Sequence, residues 1–180
     1  MLQTVSAITK KIDYSGLFAT LEQYPAFDTR VTENLRQAAR AGENGLLLII
    51  DRGYGLPDND VVVVKSHLNL TGSNPLSGPN DPIGERFPVL EGVYQEPPQC
   101  HLRQVVAAGI KPGCNPSINE IEMIRKVGAD CWCFNLVPTM IVAAHAGFKV
   151  VALLVPVKDA QSTDDIKHRV LQEFPGINLR

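Results

Sequence analysis

Hydrophobic residues along this chain alternate between two periods. Between Asp28 and Ala41, Val31, Leu35, Ala38 and Ala39 recur at helical spacing; Asp28 or Thr29 stands as the N-cap and Gly42 follows the last turn. Leu46-Leu-Leu-Ile-Ile50 is then a continuous apolar run, the pattern of a strand buried on both faces of a sheet. Asp51-Arg-Gly-Tyr-Gly55 reads as a tight glycine turn that leads through Pro57 and Asp58 to a second strand, Val61–Val64. So short a link predicts two antiparallel neighbours or a kinked pair. Ser66 to Asp81 and Gly84 to Pro88 are crowded with Gly, Pro, Asn and Asp, which predicts a shaped loop.

The second half repeats the alternation. Gln95-Glu-Pro-Pro98 is a stiff spacer, and Leu102 to Ile110 a strand closed by Lys111-Pro-Gly113. Ser117 to Val127 carries the clearest helix start, with Ser117 as N-cap, Glu120 completing a capping box and Gly128 at the stop. Its apolar stripe is Ile121, Ile124 and Val127. Cys131 to Leu136 is the next strand, Thr139 to Ala146 a helix ended by Gly147, and Val150 to Val157 a buried strand. Asp164 to Phe174 reads as a last amphipathic helix. At the other end, Val5 to Asp13 fits an edge strand or an arm, and Gly16 to Pro25 is ambiguous. With no linker or repeat, residues 1–180 are expected to form one α/β domain, a three-layer α/β/α sandwich with a mixed central sheet.

Composition narrows the partners. A formal net charge of −2 offers no basic face for nucleic acid or an anionic membrane. No apolar run approaches the roughly 20 residues of a membrane span, and no leader pattern follows Met1, so a cytoplasmic protein is expected. Cys131 and Cys133 alternate onto one face of a strand and are expected to be buried and reduced. His101 beside Cys100 is only a weak metal motif; neither a metal nor a cofactor is expected.

The loop is specific in its order. His67-Leu-Asn-Leu70, Asn74-Pro-Leu76, Gly78-Pro-Asn-Asp81 and Arg86-Phe-Pro88 resemble a signature of the trimeric purine nucleoside phosphorylases, which reads roughly His-Ile-Asn-Leu, Asn-Pro-Leu, Gly-Pro-Asn-Asp and Arg-Phe-Pro. Two further segments resemble the same family. Leu46 to Leu56 resembles the strand and turn that the family writes Asn-Ala-Ala-Gly-Gly-Leu, and Val127 to Val150 resembles a segment ending in Ala-x-His-x-Gly-x-x-Val. The resemblance spans about Tyr24 to Val157 and implies the phosphorylase fold.

It also implies a nucleoside and phosphate site, and there this chain departs from it. Of the family's phosphate anchors, the Gly-rich loop is expected to be missing with other N-terminal elements, and the Arg-x-His positions read Leu17 and Ala19 before the partial Glu22-Gln-Tyr24 match. The family's Asn-Ala turn reads Asp51-Arg52, which sets a carboxylate near the anion, and its serine position reads Asn135. The purine-facing glutamate falls on Pro116 and the asparagine on Lys158. Phosphorolysis stabilises charge with donors positioned in advance, and each lost donor typically lowers the rate by about 10²–10³. A shortened, divergent member with no catalytic residue is therefore expected, acting by self-association or a protein partner. The alternative is an enzyme or binder for a nucleoside, phosphate or related molecule through a rebuilt pocket. Asp51, Arg52, His67, Tyr94, Phe134, Asn135 and Lys158 are its candidate residues, with Asp51 activating water in a hydrolytic version. Plainer roles compete: His67 as a loop anchor, Tyr94 as packing, His145 as a satisfied core histidine and Lys158 in a surface turn.

Overall fold

The computed structural model describes residues 29–56, 61–96, 101–156 and His168. Their elements run in the order α1 (Thr29–Arg40), β1 (Leu46–Gly53), β2 (Val62–Asn69), β3 (Gln104–Gly109), α2 (Ile118–Lys126), β4 (Cys131–Cys133), α3 (Leu136–His145) and β5 (Lys149–Pro156). The segments Val5–Asp13, Gly16–Pro25 and Asp164–Phe174, and the candidate Lys158, lie outside the described residues.

The five strands form one mixed sheet in the order β1-β5-β2-β3-β4. β1 runs parallel to β5, β2 antiparallel to β5, and β2, β3 and β4 parallel to one another. The two strands expected to be neighbours, β1 and β2, do oppose each other in direction, but β5 separates them. The reason is hydrophobic: every residue of β5 after Lys149 is buried, so this strand takes a central place where both faces are covered. The expected turn at Asp51 is also displaced, because Asp51, Arg52 and Gly53 continue β1. Tyr54 then pairs antiparallel with Trp132, exchanging N–H···O bonds of 2.9 and 3.0 Å. This bridge joins the two edges of the sheet at one end and curls it.

Helices cover both faces. Leu35 of α1 and the inner side of α3 share a buried cluster with Leu47, Ile49, Val64, Val105, Ala107, Ala152 and Leu154. On the opposite face, Ile124 of α2 packs with Ala108, Ile110, Ala129 and Phe134. Ile124 is the buried member of the expected α2 stripe; Val127 is 52% exposed. The Ser117–Glu120 capping box forms as expected. At the end of α1, Glu43 N–H reaches Ala38 O and Gly42 N–H reaches Ala39 O, the paired bonds of a Schellman stop, with Gly42 at φ 76°.

α3 begins three residues earlier than its sequence suggests. Pro138 would ordinarily mark a break, yet it sits in the first turn, where its missing N–H has no intrahelical partner to lose. Nine of the ten residues of α3 are buried, which accounts for a helix apolar on nearly all sides. Among the described residues no helix is long and apolar enough to cross a membrane.

Candidate functional site

The end of β1 and the start of α3 meet through one side chain. Asp51 is only 6% exposed. Its Oδ1 accepts from Arg52 N–H at 2.8 Å, and its Oδ2 accepts from Asn135 N–H at 3.0 Å and Leu136 N–H at 2.8 Å. The carboxylate therefore caps a helix that begins 85 residues later in the chain. Burial pushes its pKa up to about 6, while the three backbone donors and Arg52 pull the other way. Arg52 follows Asp51 in a strand, so its side chain leaves from the opposite face, although its charge still favours the ionised carboxylate.

Asn135 is the N-cap residue of α3 but makes no side-chain cap bond, and its Oδ1 is buried without a partner in the protein. Beside it, Cys133 and Cys131 are both buried, as alternation implies. Burial, followed by the nearby Asp51 and Cys131, pushes the Cys133 thiol well up; Cys131 is pushed up to about 12, chiefly by burial. Neither ionises near neutral pH.

An aromatic group flanks this end. Tyr54 stacks on Trp132, with centroids 6.3 Å apart and planes at 17°, and meets Phe134 edge-on at 4.9 Å. Gly55 lies under Trp132, at φ 74°; a Cβ there would come within 2.2 Å of the indole. Of these aromatics only Phe134 was anticipated. The signal for Tyr54 is present in the sequence, since it stands where the Asn-Ala-Ala-Gly-Gly-Leu run has its first glycine.

His67 and Tyr94 form a separate pair. His67 Nδ1 and the Tyr94 hydroxyl are 2.6 Å apart, with rings in a T-shaped contact. Burial lowers the His67 pKa, and burial, with Cys133 nearby, raises that of Tyr94 beyond the usual phenol range. Burial favours the neutral form of both side chains, and the imidazole tautomer sets which of the two donates. The pair also holds a short insert: Val93 to Gln95 hydrogen-bonds to Val150, continuing the sheet alongside β5. His67 pairs with Ala107, which pairs with Cys131, two residues short of Cys133 along these parallel strands. The predicted residues thus fall into two groups, Asp51 with Phe134 and Asn135, and His67 with Tyr94. Pro116, half-buried, precedes the α2 cap.

The loop from 66 to 88 is held by short-range bonds. Asn69 Oδ1 accepts from Thr71 N–H at 3.2 Å and Asn74 Oδ1 from Leu76 N–H at 2.9 Å, while Asn80 Nδ2 donates to Gly84 O at 3.1 Å. Three contacts tie it to helices: Arg36 to Pro75 O at 3.2 Å, Arg40 to Asp81 at 2.5 Å, and Asn80 Oδ1 to His145 Nε2 at 3.3 Å. His145 is buried as expected, but only Nε2 is partnered; Nδ1 meets no protein group. Gly84 packs so closely on the end of α3 that a Cβ would fall 1.8 Å from His145 O. The Asn80–His145–Gly84 contact went unanticipated, because its partners lie far apart in sequence.

With this geometry in place, comparison with known proteins becomes decisive. Purine nucleoside phosphorylase 1 of Geobacillus stearothermophilus is 34% identical over 157 residues, covering 77% of this chain and 55% of that protein. The chain belongs to the purine nucleoside phosphorylase family. The Bos taurus purine nucleoside phosphorylase is 30% identical over 156 residues, 75% of this chain and 53% of that protein. The chain therefore spans about half the length of these curated relatives. No protein-family model matches it. Among solved structures, a Schistosoma purine nucleoside phosphorylase in complex with hypoxanthine superposes with a TM-score of 0.68 at 20% identity, over 81% of this chain and 65% of that one. An isoform 2 enzyme of Schistosoma mansoni, in complex with cytosine and ribose-1-phosphate, gives 0.63 at 25% identity, over 86% and 58%. The α/β/α fold with a mixed, curled sheet is that of the family.

Proposed function

We propose that this purine nucleoside phosphorylase-like chain does not carry out phosphorolysis and acts instead through contacts with other protein surfaces, its own copies included. One observation carries the reading. Asp51 and Asn135 occupy positions where the resemblance implies phosphate anchors, and the backbone donors there are already bound to a carboxylate. A phosphate dianion brought to this end would meet a negative charge where it needs donors, at short range and in low dielectric. The half-buried Pro116, without side-chain acceptor or backbone N–H, points the same way for the purine. For contacts, the described surface offers exposed apolar side chains: Phe87 at 83% in the loop and Val89 at 75% just after it, with Ile118 and Met123 on α2 and Val127 at its end.

The aromatic group favours a second reading, binding of a nucleoside or related planar molecule through a rebuilt pocket. Tyr54 and Trp132 are half-buried, and the partnerless Asn135 Oδ1 lies on the strand–helix junction beside Phe134. In that reading Asp51 is a poor base for activating water, since both its oxygens are engaged.

Inosine, guanosine, adenosine and uridine, each titrated with and without phosphate, separate the two. The first reading expects no base release and no saturable binding at micromolar nucleoside. Release of base removes it, and saturation without release transfers the case to the second. The mass in solution, measured by light scattering, tests self-association; a monomer at all concentrations removes that part.

A further inference from the structure

We propose that the Asp51 carboxylate is an intramolecular ligand seated in an oxyanion cradle, made by the N–H groups of Arg52, Asn135 and Leu136, and that it keeps free oxyanions out. This inference rests on the function proposed for the chain and names the device that closes the site.

Three features support it. The donors come from two elements: Arg52 from β1, and Asn135 and Leu136 from the start of α3. A helix end alone would supply only the last two. All three bonds, at 2.8 to 3.0 Å, fall on one side chain that is 6% exposed, so the cradle is filled and sealed from water. Asn135 supplies the third feature. Asparagine is among the strongest N-cap residues. Here it makes no cap bond and its Oδ1 is buried without a partner. It behaves as a native cap displaced by an incoming anion.

The device is a contact that occupies the site from within. It involves no bond making, only exchange of one anion for another. Asp51→Ala removes a carboxylate while keeping Cβ, which leaves a hole the size of formate beneath three converging donors. Asp51→Asn keeps an oxygen in place and leaves no hole.

The experiment uses the full chain at neutral pH and constant ionic strength, with sodium formate, sodium phosphate or sodium chloride as the salt. Thermal unfolding is followed by circular dichroism. For Asp51→Ala, formate is expected to raise Tm by about 3 °C or more over chloride, by mass action on the folded state. The wild type and Asp51→Asn are expected to match each other in every salt, showing only the general stabilisation that phosphate gives a folded protein. An Asp51→Ala protein whose response to formate is no larger than that of Asp51→Asn overturns the proposal, as does a wild type stabilised by phosphate more than Asp51→Asn is. If Asp51→Ala does not fold in chloride, it is refolded in formate: recovery of the native spectrum supports the cradle, and none overturns it. The parent reading fails by another route, release of base by the wild type, so the two failures are told apart.

Discussion

The loop from 66 to 88 and the junction of β1 with α3 carry the family resemblance in opposite ways. The loop keeps the order of the signature, and its shape comes from bonds spanning two to four residues, such as Asn74 to Leu76 and Asn80 to Gly84. At the junction the resemblance implies other residues where Asp51, Tyr54 and Asn135 stand, and Asp51 finds its partners 84 and 85 residues away. Local turn chemistry preserves a shape whether or not a ligand is used. A site assembled from distant strands changes when a single charge changes. A signature concentrated in the loop therefore reports the fold more faithfully than the reaction.

Glycines give the largest test of that contrast. Gly55 and Gly72 share a positive φ, 74° and 71°, but a Cβ at Gly55 meets Trp132 at 2.2 Å while one at Gly72 meets nothing within 4 Å. Gly55→Ala is expected to destabilise by about 3 kcal/mol or more, against about 1–2 kcal/mol for Gly72→Ala. Equal losses in denaturant unfolding would mean that the sheet closure is no tighter than the loop.

Acidity gives the next effect. Asp51 has its pKa raised from 3.8 to about 6 in the folded protein, so its linked contribution to stability is fully present below 3.8 and is lost as pH rises through 6. A rise of that size corresponds to roughly 3 kcal/mol. The difference in stability between wild type and Asp51→Asn, followed from pH 3.5 to 7 by urea unfolding, should change by about that amount. A flat difference would place the carboxylate in a far more solvated site than its burial indicates.

Smaller effects belong to the loop and its neighbours. Asn80→Ala removes the partner of a buried histidine nitrogen and should lose about 1–2 kcal/mol, with faster amide exchange confined to the loop. Exchange that spreads into α3 would show that loop and junction are one cooperative unit. Smallest, Tyr94→Phe should lose about 1 kcal/mol with the His67 bond, leaving the pH response of Asp51 unchanged. A larger loss in urea unfolding, or an altered pH response, would join the His67–Tyr94 pair to the junction.

Much of the fold was legible because its signals are local. The Ser117–Glu120 box, the Gly42 stop and the unbroken apolar runs of β1 and β5 each act within a few residues. Strand order was not legible, because the place of β5 between β1 and β2 depends on which surface is most completely covered. Nor was the start of α3: Pro138 hides it, and its cap comes from another strand. Of the candidate residues, Asp51 and Asn135 come together, Arg52 departs to the opposite face, and His67 with Tyr94 forms its own pair.

By itself the sequence determined the family, the alternation of helices and strands, and the presence of a carboxylate where a neutral residue is expected. Only the tertiary structure decided what that carboxylate does. Hydrophobic period and turn chemistry act along the chain, so they can be read from it. The coordination of one buried charge by three backbone N–H groups depends on how β1 and α3 approach in space, and no local pattern records that approach.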